Sequence, residues 1–303
     1  MSDPAAIDPA PIGFALDRRA LARSFDRAAP GYDAAAQLQQ RVRAELLERL
    51  RFFTLAPQTI LDLGAGTCQG SLALRRSYPR ARVVALDIAP GMLNASPRPG
   101  WPRRRFERVC ADAYALPLAA RSVDLVYSNL MLQWCDRPDM AFREVARILK
   151  PAGVFVFASF GPDTLHELRL AWESVDQGVH VSQFPDMPQL GAALMHAGLQ
   201  EPVMDVERHR LQYSNVHALM HELQRIGARN AARNRSRGLT GRARLQRMIT
   251  AYETRRTAAG LPATFEVIFG AAFGAEAQAG GDVDASSPGE IVVPLAALKR
   301  RRP

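Results

Sequence analysis

The chain has 303 residues, 48% of them hydrophobic, ample for a sizeable core in one large or two small domains. Its formal net charge of +9 favours an acidic partner or surface without naming one. Cys68, Cys110 and Cys135 are widely spaced, show no metal-ligand pairing and suit a reduced cytosol. The opening Met1-Ser-Asp-Pro-Ala-Ala6 lacks both the basic and the apolar part of a signal peptide, and the apolar run Val154–Ala158 is only strand-sized. A cytoplasmic protein with no membrane segment is the expectation.

Residues 1–17, rich in Pro, Ala and Asp, read as a disordered leader. A helix from Arg18 ends in a turn at Pro30-Gly31, and its last part places two aromatics, Phe25 and Tyr32, in a polar setting. Leu38, Val42, Leu46, Leu47 and Leu50 fall at helical spacing and mark a second helix that stops before Pro57. Strands and helices then alternate. Strand 59–63 leads to a helix over 67–77, and strand 82–87 to a short helix after Pro90. Phe106–Ala111 is the third strand and Ser122–Ser128 the fourth. Met140–Leu149 is a helix, and Val154–Ser159 the fifth strand. Such alternation predicts a doubly wound, mostly parallel α/β sheet. Beyond Phe160 the pattern loosens into helices at 163–175, 188–197, 216–227 and 241–258. Two more strands at 201–213 and 262–269 bring the sheet to seven. Some of these helices are expected to form a lid, and 275–303 a loose tail with a basic end, leaving one domain over 18–274.

The stretch Thr59-Ile-Leu-Asp-Leu-Gly-Ala-Gly-Thr-Cys-Gln-Gly70 organises the rest. A buried strand runs into Gly64 and Gly66, where backbone can approach a ligand without Cβ interference, and a helix N-terminus follows. A dinucleotide fingerprint needs a third glycine where Gln69 stands. Asp87 closes the next strand, where a ribose-binding acid belongs. Asp62 puts a negative charge where a pyrophosphate would be repelled and a cationic amino group attracted. The combination favours S-adenosylmethionine.

The order of parts resembles the class I S-adenosylmethionine-dependent methyltransferases over about residues 20–270. Asp62-Leu-Gly-Ala-Gly66 is similar to their first motif, Asp87 to their ribose acid, Asp112-Ala113 to the turn that contacts adenine, and Leu149–Val154 to the turn before strand five. Phe25–Tyr32, Ser128-Asn-Leu-Met-Leu-Gln-Trp-Cys135, Leu223–Ala228 and Leu261–Phe265 resemble malonyl-acyl-carrier-protein O-methyltransferase, the BioC family of biotin synthesis. Gln224 departs from the family's usual basic residue. Phe160–Arg169 is shared with arginine-hydroxylase-type complex I assembly factors, which keeps an assembly factor as the alternative, beside a methyltransferase acting on RNA or another small molecule.

The resemblance implies methyl transfer from S-adenosylmethionine to malonyl-acyl carrier protein or malonyl-CoA. It implies cofactor contacts from Asp62, Gly64, Ala65, Gly66, Asp87, Ile88, Asp112, Ala113 and Asn129. A malonyl carboxylate is already ionised near neutral pH and a sulfonium already electrophilic, so the chemistry needs positioning and water exclusion rather than a base. Tyr32, Gln133 and Trp134 are the candidates to shape that pocket, with the latter two facing the cofactor from the end of strand four. His166 and Arg169, three apart on a helix, are candidates for the carboxylate, with Arg225 and Arg229 as further substrate contacts. No histidine spacing forms a metal motif, and no metal is expected. Arg225, Arg229, Arg233, Arg235, Arg237, Arg242, Arg244 and Arg247 occur with no acid between them. They suit docking of an acidic carrier protein. The segment has no aromatic, which disfavours nucleic acid. A monomer is expected.

Overall fold

Period-two alternation in the apolar runs decides which face of the sheet each side chain meets. The computed structural model describes residues 16–96, 106–228 and 241–276. Its strands are β1 (Thr59–Leu63), β2 (Arg82–Asp87), β3 (Glu107–Cys110), β4 (Val123–Asn129), β5 (Leu149–Phe160), β6 (Gln200–Tyr213) and β7 (Leu261–Phe273). They form one sheet in the order β3-β2-β1-β4-β5-β7-β6. β1 to β5 pair in parallel, while β7 runs antiparallel between β5 and β6. The order reverses at β1 and β4, so the crevice for a ligand opens at their carboxyl ends.

Among the described residues three α-helices precede the sheet: α1 (Arg18–Ala28), α2 (Tyr32–Ala35) and α3 (Gln37–Arg49). Leu38, Val42 and Leu46 of α3 pack with Ile60, Leu125, Val154 and Val156 on one face. The crossover helices are α4 (Gln69–Ser77), α5 (Pro90–Ala95) and α6 (Pro138–Ile148). Phe142, Val145 and Ile148 of α6 cover the other face with Leu61, Val126, Phe155 and Phe157. Neighbours in sequence thus divide between the faces, as a sheet buried on both sides requires. Gly270 sits opposite Phe157, and a Cβ there would lie 2.2 Å from the Phe157 ring, so the glycine makes room for the aromatic stack.

The remaining helices are α7 (His166–Glu173), α8 (Met187–His196), α9 (Val216–Arg225) and α10 (Arg242–Glu253). α7 is pinned to β7 through buried polar groups. The Glu167 carboxylate accepts from the Thr264 backbone N–H at 3.0 Å and the Thr264 hydroxyl at 2.5 Å. The helix expected from 163 begins only at His166, because Leu165 takes a left-handed conformation at φ 55°. The first crossover helix likewise starts at Gln69 rather than 67, behind a left-handed Cys68. No helix among the described residues is long and apolar enough to cross a membrane. Residues 1–15 of the expected leader (1–17), most of the tail (277–303) and the arginines from 229 to 237 lie outside the described residues, while Leu16 is buried and Asp17 caps α1.

Candidate active site

Three backbone donors, one carbonyl and one acid shape the glycine turn. Gly64 and Ala65 both donate N–H to the Leu86 carbonyl, at 2.8 and 2.9 Å. Asp87 accepts from Gly66 N–H and Ala89 N–H, each at 2.8 Å, one per carboxylate oxygen. Gly64 has φ 76°, and a Cβ there would fall 2.2 Å from Cγ of Met131. Only glycine fits.

Two clefts open from this turn and share Tyr32, Gly64, Gly66 and Asn129. The larger, about 750 Å³, is walled by Asp87, Ile88, Met92, Asp112 and Ala113. Asp112 accepts from the Tyr114 N–H at 3.0 Å and from Arg18 of α1 at 2.6 Å. Asp26 on α1 accepts from the Gly91 N–H at 2.7 Å, so α1 is fastened over the cleft at both ends. The smaller cleft is walled by Asp62, Ala65, Thr67 and Arg43. Asp33 draws it shut, accepting from the Thr67 hydroxyl at 2.5 Å and the Gln69 amide at 2.8 Å.

Burial sets the charges here. It pushes the Asp62 carboxyl up to about 7, against the Ser71 hydroxyl that donates to it at 2.5 Å. Asp87 is raised too, by burial first, with its backbone donors opposing. Burial and then the charges of Asp87 and Asp33 hold the Tyr32 hydroxyl protonated, so it is a neutral donor and not a base. Asn129 donates to the Gln39 carbonyl at 3.2 Å, while its buried Oδ1 has no hydrogen-bond partner in the protein. An unpartnered acceptor and a buried carboxyl lining one cleft are what an ammonium group would satisfy, and with Asp87 and the glycine turn they make a site whose chemistry fits S-adenosylmethionine.

A third cleft of about 770 Å³ lies behind the first. Phe25, Tyr32, Leu130 and Trp134 wall both, with Phe25 and Trp134 edge to face at 5.4 Å. The third cleft is largely apolar, and its polar groups are Tyr32, Gln39, Gln133, Thr164, His180 and Ser182. No Lys or Arg lines it among the described residues. His180 stacks flat on Trp172 at 3.7 Å and meets the Asp176 carboxylate through Nε2 at 2.7 Å.

Asp62, Gly64, Ala65, Gly66, Asp87, Ile88, Asp112, Ala113 and Asn129 all line the first two clefts. Tyr32 touches all three, and Trp134 stands at the junction. Gln133 does not face the cofactor cleft. The tight turn Leu132–Trp134 sends Leu132 into the core and Gln133 toward the third cleft, where its amide donates to the Leu130 carbonyl at 2.6 Å. His166 and Arg169 line none of the clefts. Arg169 folds back onto the carbonyls of Pro162 and Thr164, at 3.0 and 3.1 Å, and His166 turns to the Asp163 carbonyl. Thr164, Leu165 and Leu168 take the places expected for them. Arg225 and Gln224 are exposed, their neighbour Ile226 reaches the third cleft, and Arg229 lies outside the described residues. Arg18, Asp26, Asp33, Arg43 and His180 join the clefts or their walls without any motif in the sequence to assign them there. Asp26 and Asp33 lie in or beside the aromatic-bounded stretch at 25–32, the one signal that pointed their way.

The chain matches the family model described as a methyltransferase domain over residues 61–157. It is 48% identical over 273 residues to malonyl-acyl-carrier-protein O-methyltransferase of Methylovorus sp. (strain MP688), covering 88% of this chain and 92% of that protein. It is 42% identical over 258 residues to the biotin biosynthesis bifunctional protein BioHC of Cellvibrio japonicus, covering 85% of this chain and half of that longer one. Its fold is similar to that of the YcgJ protein of Bacillus subtilis, with a TM-score of 0.55, 19% identity, and coverage of 77% of this chain and 99% of the other.

Proposed function

The chain belongs to the malonyl-acyl-carrier-protein O-methyltransferase family, and on that premise we propose how its residues share the reaction. It is an S-adenosylmethionine-dependent O-methyltransferase that esterifies the free malonyl carboxylate on acyl carrier protein, for biotin synthesis. Bound S-adenosylmethionine supplies a methyl group on a positively charged sulfur. The malonyl carboxylate would be the acceptor, and the protein's part is to hold it in line with that methyl group and keep water away.

Asp87 takes the ribose hydroxyls, the Asp112-Ala113 turn the adenine, and Asp62 with Asn129 the ammonium. Arg43, on the wall of the smaller cleft, is the cation for the cofactor's own carboxylate. The malonyl group enters the third cleft, where Gln39, Gln133 and His180 offer polar contacts. Methyl transfer takes place at the junction walled by Phe25, Tyr32, Leu130 and Trp134. The domain over 18–274 acts as one unit. The exposed Arg225, Arg242, Arg244 and Arg247 form the docking surface for the carrier protein.

The shared wall between the cofactor cleft and the third cleft carries this division of labour. It is tested by two variants read separately. Asp87→Ala weakens S-adenosylmethionine binding at least tenfold by calorimetry. Gln133→Ala leaves that affinity unchanged and raises KM for the malonyl thioester severalfold. Unchanged cofactor affinity in the first variant would remove Asp87 from the site, and weakened cofactor affinity in the second would merge the two chambers.

A further inference from the structure

Away from the three clefts, α3 and the edge strand β6 bring together Glu45, Glu207 and His209, with one ligand atom from each within 4.8 Å of the others. Glu207 and His209 are two apart on β6 and so share a face. His209 is 8% exposed, and its Nε2 and the Glu45 Oε2 are buried with no hydrogen-bond partner in the protein. The two atoms stand 3.4 Å apart. That is long for a charge-assisted hydrogen bond, which draws N and O to about 2.7–2.9 Å. It matches the edge of a tetrahedron around zinc, since donors about 2.0–2.1 Å from the metal lie about 3.3–3.4 Å from each other.

We propose that Glu45, Glu207 and His209 form a zinc site that clips α3 to the edge of the sheet, with water in the fourth position. One imidazole and two carboxylates suit zinc better than the all-oxygen shells of magnesium or calcium. The local charge also favours a cation. Glu45, Asp205 and Glu207 are three carboxylates, and Arg49, which bonds both Asp205 and Glu207, offsets one of them. Arg49 and Arg41, each one turn from Glu45 on α3, both act on it, so two arginines stand against three carboxylates. Glu207 has a second oxygen to offer while Arg49 keeps its pairing with Asp205. The clip would be structural. α3 also presents Gln39 and Arg43 to the clefts, so fixing its register against β6 steadies both chambers from outside.

Zinc alone, titrated into the chelator-treated full chain by calorimetry, is predicted to bind at one equivalent and to raise the melting temperature in a concentration-dependent way. Glu45→Gln, which keeps the side-chain shape, and His209→Gln, which keeps a polar group but removes the imidazole, are each predicted to weaken that binding at least tenfold, while Cys110→Ser, at the exposed cysteine, leaves it unchanged. Circular dichroism of each variant shows whether it is folded. The absence of a one-equivalent zinc isotherm, or equal binding by folded Glu45→Gln and wild type, would overturn the site and leave a plain His209–Glu45 pair.

Discussion

Asp62 is a residue whose chemistry is set by its surroundings. Its carboxyl, pushed up to about 7 by burial, holds a proton in the folded protein at pH values where the unfolded chain has released it. The folded state therefore binds more protons between about pH 4 and about pH 7, and the stability contributed by this group falls across that window as pH rises. Cofactor binding runs the other way. An ammonium group prefers the ionised carboxylate, so affinity for S-adenosylmethionine is predicted to rise with pH up to about 7 and then level off. Asp62→Asn should flatten this profile and weaken binding tenfold or more. A wild-type profile with no slope below pH 7 would take Asp62 away from the ammonium.

At the scale of elements, the inner parallel strands are legible in the sequence, while the early start of β5 at Leu149, the extension of β7 to Phe273 and the attachments are not. β1, β2 and β4 sit within a residue of their expected bounds, because a strand buried on both faces leaves an apolar run that local sequence displays directly. The glycine turn was legible for a similar reason, as its φ angles and close approach to Met131 are demands on a few adjacent residues. The start of α7 was missed because a left-handed Leu165 carries no compositional signal. The position of Gln133 depends on a single tight turn, and Arg43 reaches the cofactor cleft only once α3 has packed on the sheet. Such placements belong to tertiary packing rather than to spacing along the chain. The tie between α7 and β7 is one of them. Glu167→Ala would leave the buried Thr264 N–H and hydroxyl without their acceptor, at a cost of about 2–3 kcal/mol. Urea denaturation is predicted to show that loss with little change in cofactor affinity. A shift below about 0.5 kcal/mol would mean that α7 is held by its apolar face alone.

At the scale of the molecule, the net charge of +9 and the exposed arginines of α9 and α10 match a partner that is itself acidic. Charge of this kind acts mainly on encounter and falls with salt. Reversing Arg242, Arg244 and Arg247 to Glu should raise KM for malonyl-acyl carrier protein tenfold or more and leave malonyl-CoA within about twofold. Equal effects on both substrates would place the docking surface elsewhere. The most direct test of the whole account is transfer of a labelled methyl group from S-adenosylmethionine to malonyl-acyl carrier protein, beside acetyl-acyl carrier protein. The predicted result is label on the malonyl form alone, released by mild ester hydrolysis. Label on both carriers, or on neither while S-adenosylmethionine still binds, would contradict methylation of the free carboxylate.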